Sequence, residues 1–95
     1  MPPMTLPRAE EYLAEVDHWT LAPNGRLISK TLRFKDFAST MAFVNKVAAL
    51  AEGENHHPDL HISYAKLTIE LTTYAVGGLS ENDFILASKV DRISQ

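Results

Sequence analysis

At 95 residues the chain suffices for one two-layer core and is too short for a second, and alone it would bury only ~60–65% of its unfolded surface, so self-association would help it. The absence of cysteine excludes disulfides and thiolate chemistry and fits a reducing compartment, with the cytoplasm as the expected location. A formal charge of -3 and a pI near 5.7, with Lys and Arg scattered, argue against direct nucleic-acid binding; residues 1–5 do not resemble a signal peptide and no apolar run reaches the ~18 residues of a membrane span.

Residues 1–5 are expected to be a disordered N-terminus, ahead of one domain over 6–95. Pro7 suits a first helical turn, and Tyr12, Leu13 and Val16 recur on one side of a Glu-rich segment, which predicts a helix over 7–16. Trp19 and Leu21 alternate with His18 and Thr20. Pro23-Asn24-Gly25 then reverses the chain into a second strand over 26–34, giving an antiparallel hairpin. From Asp36 the period lengthens: Phe37, Met41, Val44, Val47, Ala48 and Ala51 make one stripe of a five-turn helix that Gly53 and Asn55 should end. After a loop over 56–59 come a short strand over 60–64 and a longer one over 66–74. In the latter, Leu67, Ile69 and Leu71 share a face opposite Thr68, Glu70, Thr72 and Tyr74. Gly77-Gly78 makes a turn, Ser80 to Asp83 reads as a capping box with Asp in place of Glu, and a last helix runs to about Ile93. This order predicts an α+β class: a single two-layer domain, a four-stranded antiparallel sheet with helices packed on one face.

The chemistry-bearing feature is His56-His57-Pro58, with Glu52 one helical turn upstream. Imidazole is the side chain best suited to move protons near neutral pH, and proline stiffens the segment that carries the pair. Two other readings compete: a metal site using His56, His57 and His61, or histidines that merely close a loop. Against the metal, His61 falls in a predicted strand, and the chain has neither cysteine nor a second His-containing motif. Adjacent imidazoles that approached each other would titrate in separated steps, with Glu52 favouring the nearer cation.

Glu52-x-x-x-His56-His57-Pro58, followed by Tyr64, a strand ending Thr72-Thr73, then Gly77-Gly78-Leu79-Ser80 and Asp83, resembles the pterin-4a-carbinolamine dehydratases. The resemblance extends to the strand Lys30-Thr31-Leu32-Arg33-Phe34, to Asp36-Phe37 and to the helix over 45–52, and so to nearly all of the chain after Trp19. It implies a hydro-lyase that dehydrates 4a-hydroxytetrahydropterin to quinonoid dihydropterin in tetrahydrobiopterin recycling, without cofactor or metal. It implies His56, His57 and Glu52 as catalytic residues, substrate contacts at Pro58, Thr73 and Asp83, and a homodimer or homotetramer. The spacing of Asp83 from Ser80 also explains that residue as a cap alone. Tyr74 departs from the family pattern, standing where a third catalytic histidine belongs. A phenol with an ordinary pKa of ~10 can donate a proton or hydrogen bond but is a poor base at neutral pH. Leu60 likewise replaces an aromatic residue. Two outcomes follow: a slower enzyme in which Tyr74 only hydrogen-bonds, or a non-catalytic relative with a protein partner, as in Rubisco assembly or transcriptional coactivation.

Overall fold

Leu67, Ile69 and Leu71 are wholly buried on one face of β4 (Lys66–Leu71) in the computed structural model, which describes residues 2–93. The two-residue alternation predicted for this strand holds, and it sets the sheet. β4 lies between β2 (Ile28–Arg33) and β3 (Asp59–Ser63), and β1 (Thr20–Leu21) completes the order β1-β2-β4-β3, all pairs antiparallel. In this register Ile28 faces Leu71, Lys30 faces Ile69, and Asp59 faces Glu70. One face carries the apolar residues. The other carries Thr31, Thr68, Glu70 and His61, with Thr31 and Thr68 hydroxyls bonded across strands at 3.1 Å.

Three helices, α1 (Leu6–Leu13), α2 (Phe37–Glu54) and α3 (Glu81–Asp91), flank this sheet, and one core joins Ala9, Phe43, Val44, Val47, Phe84, Ala87 and Val90 to the β4 face. The α+β reading with helices on one face is therefore the observed fold. No helix among the described residues is long and apolar enough to cross a membrane.

The stripe of α2 differs from its apolar periodicity. Thr40, Phe43, Val44, Val47 and Ala51 are buried, whereas Phe37 and Ala48 are exposed. Thr40 can take a core position because its hydroxyl donates to Asp36 O at 2.9 Å, which satisfies the one polar group that burial would strand. Asp36 caps the helix by accepting from Ser39 N–H at 2.7 Å. Gly53 lies inside α2, which ends at Asn55 in the left-handed region (φ 51). Trp19 is buried but precedes the two-residue β1, and α1 stops at Leu13, short of Val16.

Lys30 sits at a core-facing position of β2. Its ammonium lies 2.8 Å from Asp91 Oδ1 with only 10% and 14% of the two side chains exposed. Asp91 also accepts from Trp19 Nε1 and from Asp17 N–H, both at 2.9 Å, so a single carboxylate ties β2, the 17–19 loop and the end of α3 together. At the other end of the chain, Met1 is outside the described residues, and Met4 N–H donates to Leu79 O at 2.8 Å.

Candidate acid–base site

The site begins where α2 ends. Asn55 in the left-handed conformation and His56 N–H, donating to Ala51 O at 3.1 Å, turn the chain back toward the sheet. Pro58 then restricts His57 to extended backbone, which feeds directly into β3 at Asp59. The two imidazoles go to different carboxylates.

His56 reaches α3. Its Nε2 lies 2.5 Å from Asp83 Oδ1, with 15% of the His56 side chain and none of Asp83 exposed. A buried carboxylate is costly unless its oxygens are satisfied. Here Oδ2 accepts from Thr73 Oγ1 at 2.9 Å and from Ser80 N–H at 3.0 Å. Because the Thr73 hydroxyl has one proton and gives it to Asp83, Ser80 Oγ is the donor in the 2.7 Å contact with Thr73 Oγ1. The capping box between Ser80 and Asp83 thus exists, and the same carboxylate orients His56. Asp83 has no exposed surface of its own, and its outward neighbours are His56, Thr73 and Ser80.

His57 pairs instead with Glu52 on the last turn of α2, through Nε2 and Oε2; both side chains are more than half exposed. A carboxylate only accepts, so each pairing assigns the proton to Nε2. In the neutral ring the lone pair then lies on Nδ1, and in the cation Nδ1–H is a donor. The geometry supplies two imidazoles with fixed tautomers, each able to give or take a proton at Nδ1.

Tyr74 is not in the strand that its alternation predicts. β4 ends at Leu71, Thr73 bridges to Gly78, and Tyr74 opens a 3₁₀ turn (Tyr74–Val76) closed by Gly77 at φ 72. The departure has a local cause: Thr72 Oγ1 donates to Arg26 O at 2.6 Å beyond the end of β2, and Thr73 exchanges backbone hydrogen bonds with Gly78, so no partner strand remains for Tyr74. The phenol is 76% exposed, yet its OH donates to Asp59 Oδ2 at 2.8 Å. That hydrogen bond, then the Asp59 charge, burial and the Glu70 charge, raise the phenol above its ordinary pKa.

His61 pairs with Glu70 at 2.8 Å on the open face of the sheet. Among the described residues no group of three or more His, Cys, Asp or Glu is arranged to hold a metal ion. Thr73 and Ser80 line a cleft of about 780 Å³ between the start of α3 and the 2–8 segment; neither histidine is among its lining residues. Sequence reasoning missed Asp59, whose position directly after His56-His57-Pro58 was the available signal.

Residues 2–93 match the family model described as pterin 4 alpha carbinolamine dehydratase. The chain belongs to this family. A relative from Nitrosomonas eutropha that carries the family's name is 48% identical over 94 residues, spanning 98% of this chain and 81% of its own length. Another from Stenotrophomonas maltophilia is 46% identical over 88 residues, 93% of this chain and 76% of that one. Among solved structures, a transcriptional coactivator/pterin dehydratase from Brucella melitensis superposes with a TM-score of 0.89 at 30% identity, over 98% of this chain and 99% of that chain. A pterin dehydratase-like protein identified as a RuBisCO assembly factor in the alpha-carboxysome is similar at a TM-score of 0.67 and 25% identity, over 79% and 87% of the two chains.

Proposed function

We propose that this chain is a hydro-lyase that converts a 4a-hydroxytetrahydropterin to quinonoid dihydropterin and water. The observation that carries the reading is the pair of adjacent imidazoles, each bonded through Nε2 to its own carboxylate. The reaction needs one proton delivered to the departing hydroxyl and one removed from the neighbouring ring nitrogen, and imidazoles of fixed tautomer are suited to take part in such transfers. His56 is positioned by Asp83 and Thr73, His57 by Glu52, and Pro58 holds the pair on an extended segment. Tyr74 contributes a hydrogen bond at the third position. Membership of a pterin dehydratase family supports this substrate class. The enzyme acts in the cytoplasm in tetrahydrobiopterin recycling, with no bound cofactor, as a homodimer or homotetramer; exposed Phe37, Ile62, Tyr64 and Ile85 favour self-association.

Tyr74 in place of an imidazole supports a second reading, a non-catalytic protein-binding relative, which the likeness to the RuBisCO assembly factor also favours. Stopped-flow dehydration of the chemically generated carbinolamine, together with calorimetric binding of a dihydropterin, separates the two. Acceleration over buffer with saturable binding supports the enzyme. No acceleration and no binding would remove it and leave the second reading.

A further inference from the structure

We propose that Asp59 is a positioning residue that holds the Tyr74 phenol on the His57 side of the chain and makes its oxygen an acceptor, so that the two together serve as a proton relay at the third catalytic position. This rests on the dehydratase reading of the site.

The tether is specific. Tyr74 lies in an exposed 3₁₀ turn with freedom to point into solvent, yet its hydroxyl meets Asp59 Oδ2 at 2.8 Å across 15 residues of sequence. Asp59 opens β3, and the residue before Pro58 is confined to extended backbone, so two-residue alternation puts His57 and Asp59 on one side of the strand. His56 leaves on the other side, toward Asp83. A phenol fixed on Asp59 therefore stands at the same edge as His57.

The carboxylate has a second neighbour. Asp59 is directly opposite Glu70 in the β3–β4 register, and like charges so placed repel. Tyr74 OH on Asp59 and His61 Nε2 on Glu70 each engage one member of that pair.

A hydroxyl has one proton and two lone pairs. With the proton committed to Asp59, the lone pairs are what a ligand meets, and a reduced pterin presents a ring N–H beside the carbon that bears the hydroxyl. In the relay the N–H bond breaks and its proton goes to the Tyr74 oxygen, while the phenol proton passes to the Asp59 carboxylate. The N–H electrons form the carbon–nitrogen double bond, the C–O bond breaks, and the departing hydroxyl takes a proton from an imidazolium and leaves as water. Tyr74 ends unchanged; Asp59, which is exposed, returns its proton to solvent, and the imidazole left neutral takes one back from solvent. A phenol, itself a weak base, thereby gives the reaction access to a carboxylate.

The test uses the full chain with ¹³Cζ-labelled tyrosine, the Tyr74 signal being assigned by Tyr74→Phe. Asp59→Ala should lower the pH at which Tyr74 titrates, and an unchanged titration overturns the tether. In stopped-flow dehydration Asp59→Ala should slow turnover about tenfold or more, and add no further loss in the Tyr74→Phe background. Losses that multiply in the double variant would mean that Asp59 acts apart from Tyr74 and would overturn the relay. If the unsubstituted chain neither accelerates dehydration nor binds pterin, the dehydratase reading fails and takes the relay with it, while the phenol titration still decides whether Asp59 holds Tyr74.

Discussion

Asp83→Asn separates the two tasks of one buried carboxylate. In the parent, Oδ2 receives Thr73 Oγ1 and Ser80 N–H at 2.9 and 3.0 Å, and Oδ1 faces His56 Nε2 at 2.5 Å. An amide oxygen in place of Oδ2 keeps the first two hydrogen bonds, and with them the start of α3. The amide nitrogen then faces His56 and can only donate, which drives the imidazole proton from Nε2 to Nδ1 and removes the Nδ1 lone pair. Replacing three charge-assisted hydrogen bonds by neutral ones is offset by the smaller cost of burying an amide than a carboxylate, and the net loss should be about 1–2 kcal/mol of stability, or a Tm lower by about 4–16 °C in a domain of this size. Dehydration should fall ~10²- to 10⁴-fold, equivalent to about 3–5 kcal/mol of barrier. The activity loss thus exceeds the stability loss, and the variant should be folded at 25 °C yet nearly inactive. Urea melts, stopped-flow turnover and ¹⁵N NMR of the His56 ring measure the three effects. Turnover equal to the parent, or an unchanged tautomer, would refute the assignment of Asp83 as the group that orients His56.

Other perturbations act elsewhere. Asp91→Ala leaves the Lys30 ammonium and Trp19 Nε1 without their acceptor in a nearly closed environment; stability should drop by about 3–5 kcal/mol in urea melts, and a loss below about 1 kcal/mol would mean that solvent screens the pair. Tyr74→His should raise the dehydration rate, and a decrease would show that the pocket is built around the phenol on Asp59. The Asp36 carboxyl is held below its ordinary pKa, chiefly by hydrogen bonds from Ser39. Its cap therefore stabilises above the usual carboxylate range and is lost as pH falls through the depressed value. Asp36→Ala should destabilise at about pH 7 and by progressively less as pH falls through the depressed value; an effect that does not change with pH would place the cap's contribution outside the charge.

What could be read from the sequence follows from which interactions are local. Alternation of Leu67, Ile69 and Leu71 reports the β4 face because side chains on a pleated strand must take opposite sides, and Ser80 announces Asp83 because a cap spans three residues. The His56-His57-Pro58 run is contiguous and was visible for the same reason. Lys30 and Asp91 are 61 residues apart, and nothing near either marks a charged residue bound for the core face. Thr40 escaped the apolar stripe of α2 because its burial depends on a hydroxyl bond to Asp36 rather than on its hydropathy. Tyr74 continues the parity of β4 in sequence, but the strand ends where β2 no longer supplies a partner, which only the tertiary pairing reveals.

The central claim is that His56 and His57 work together on one bound pterin. Its most direct measurement is the stopped-flow dehydration rate of His56→Ala, His57→Ala and the double variant beside the parent. Each single substitution should cost ~10²- to 10⁴-fold, and the double variant should lose less than the product of the two, because both rings serve one coupled reaction. Single variants that turn over as fast as the parent would contradict the account.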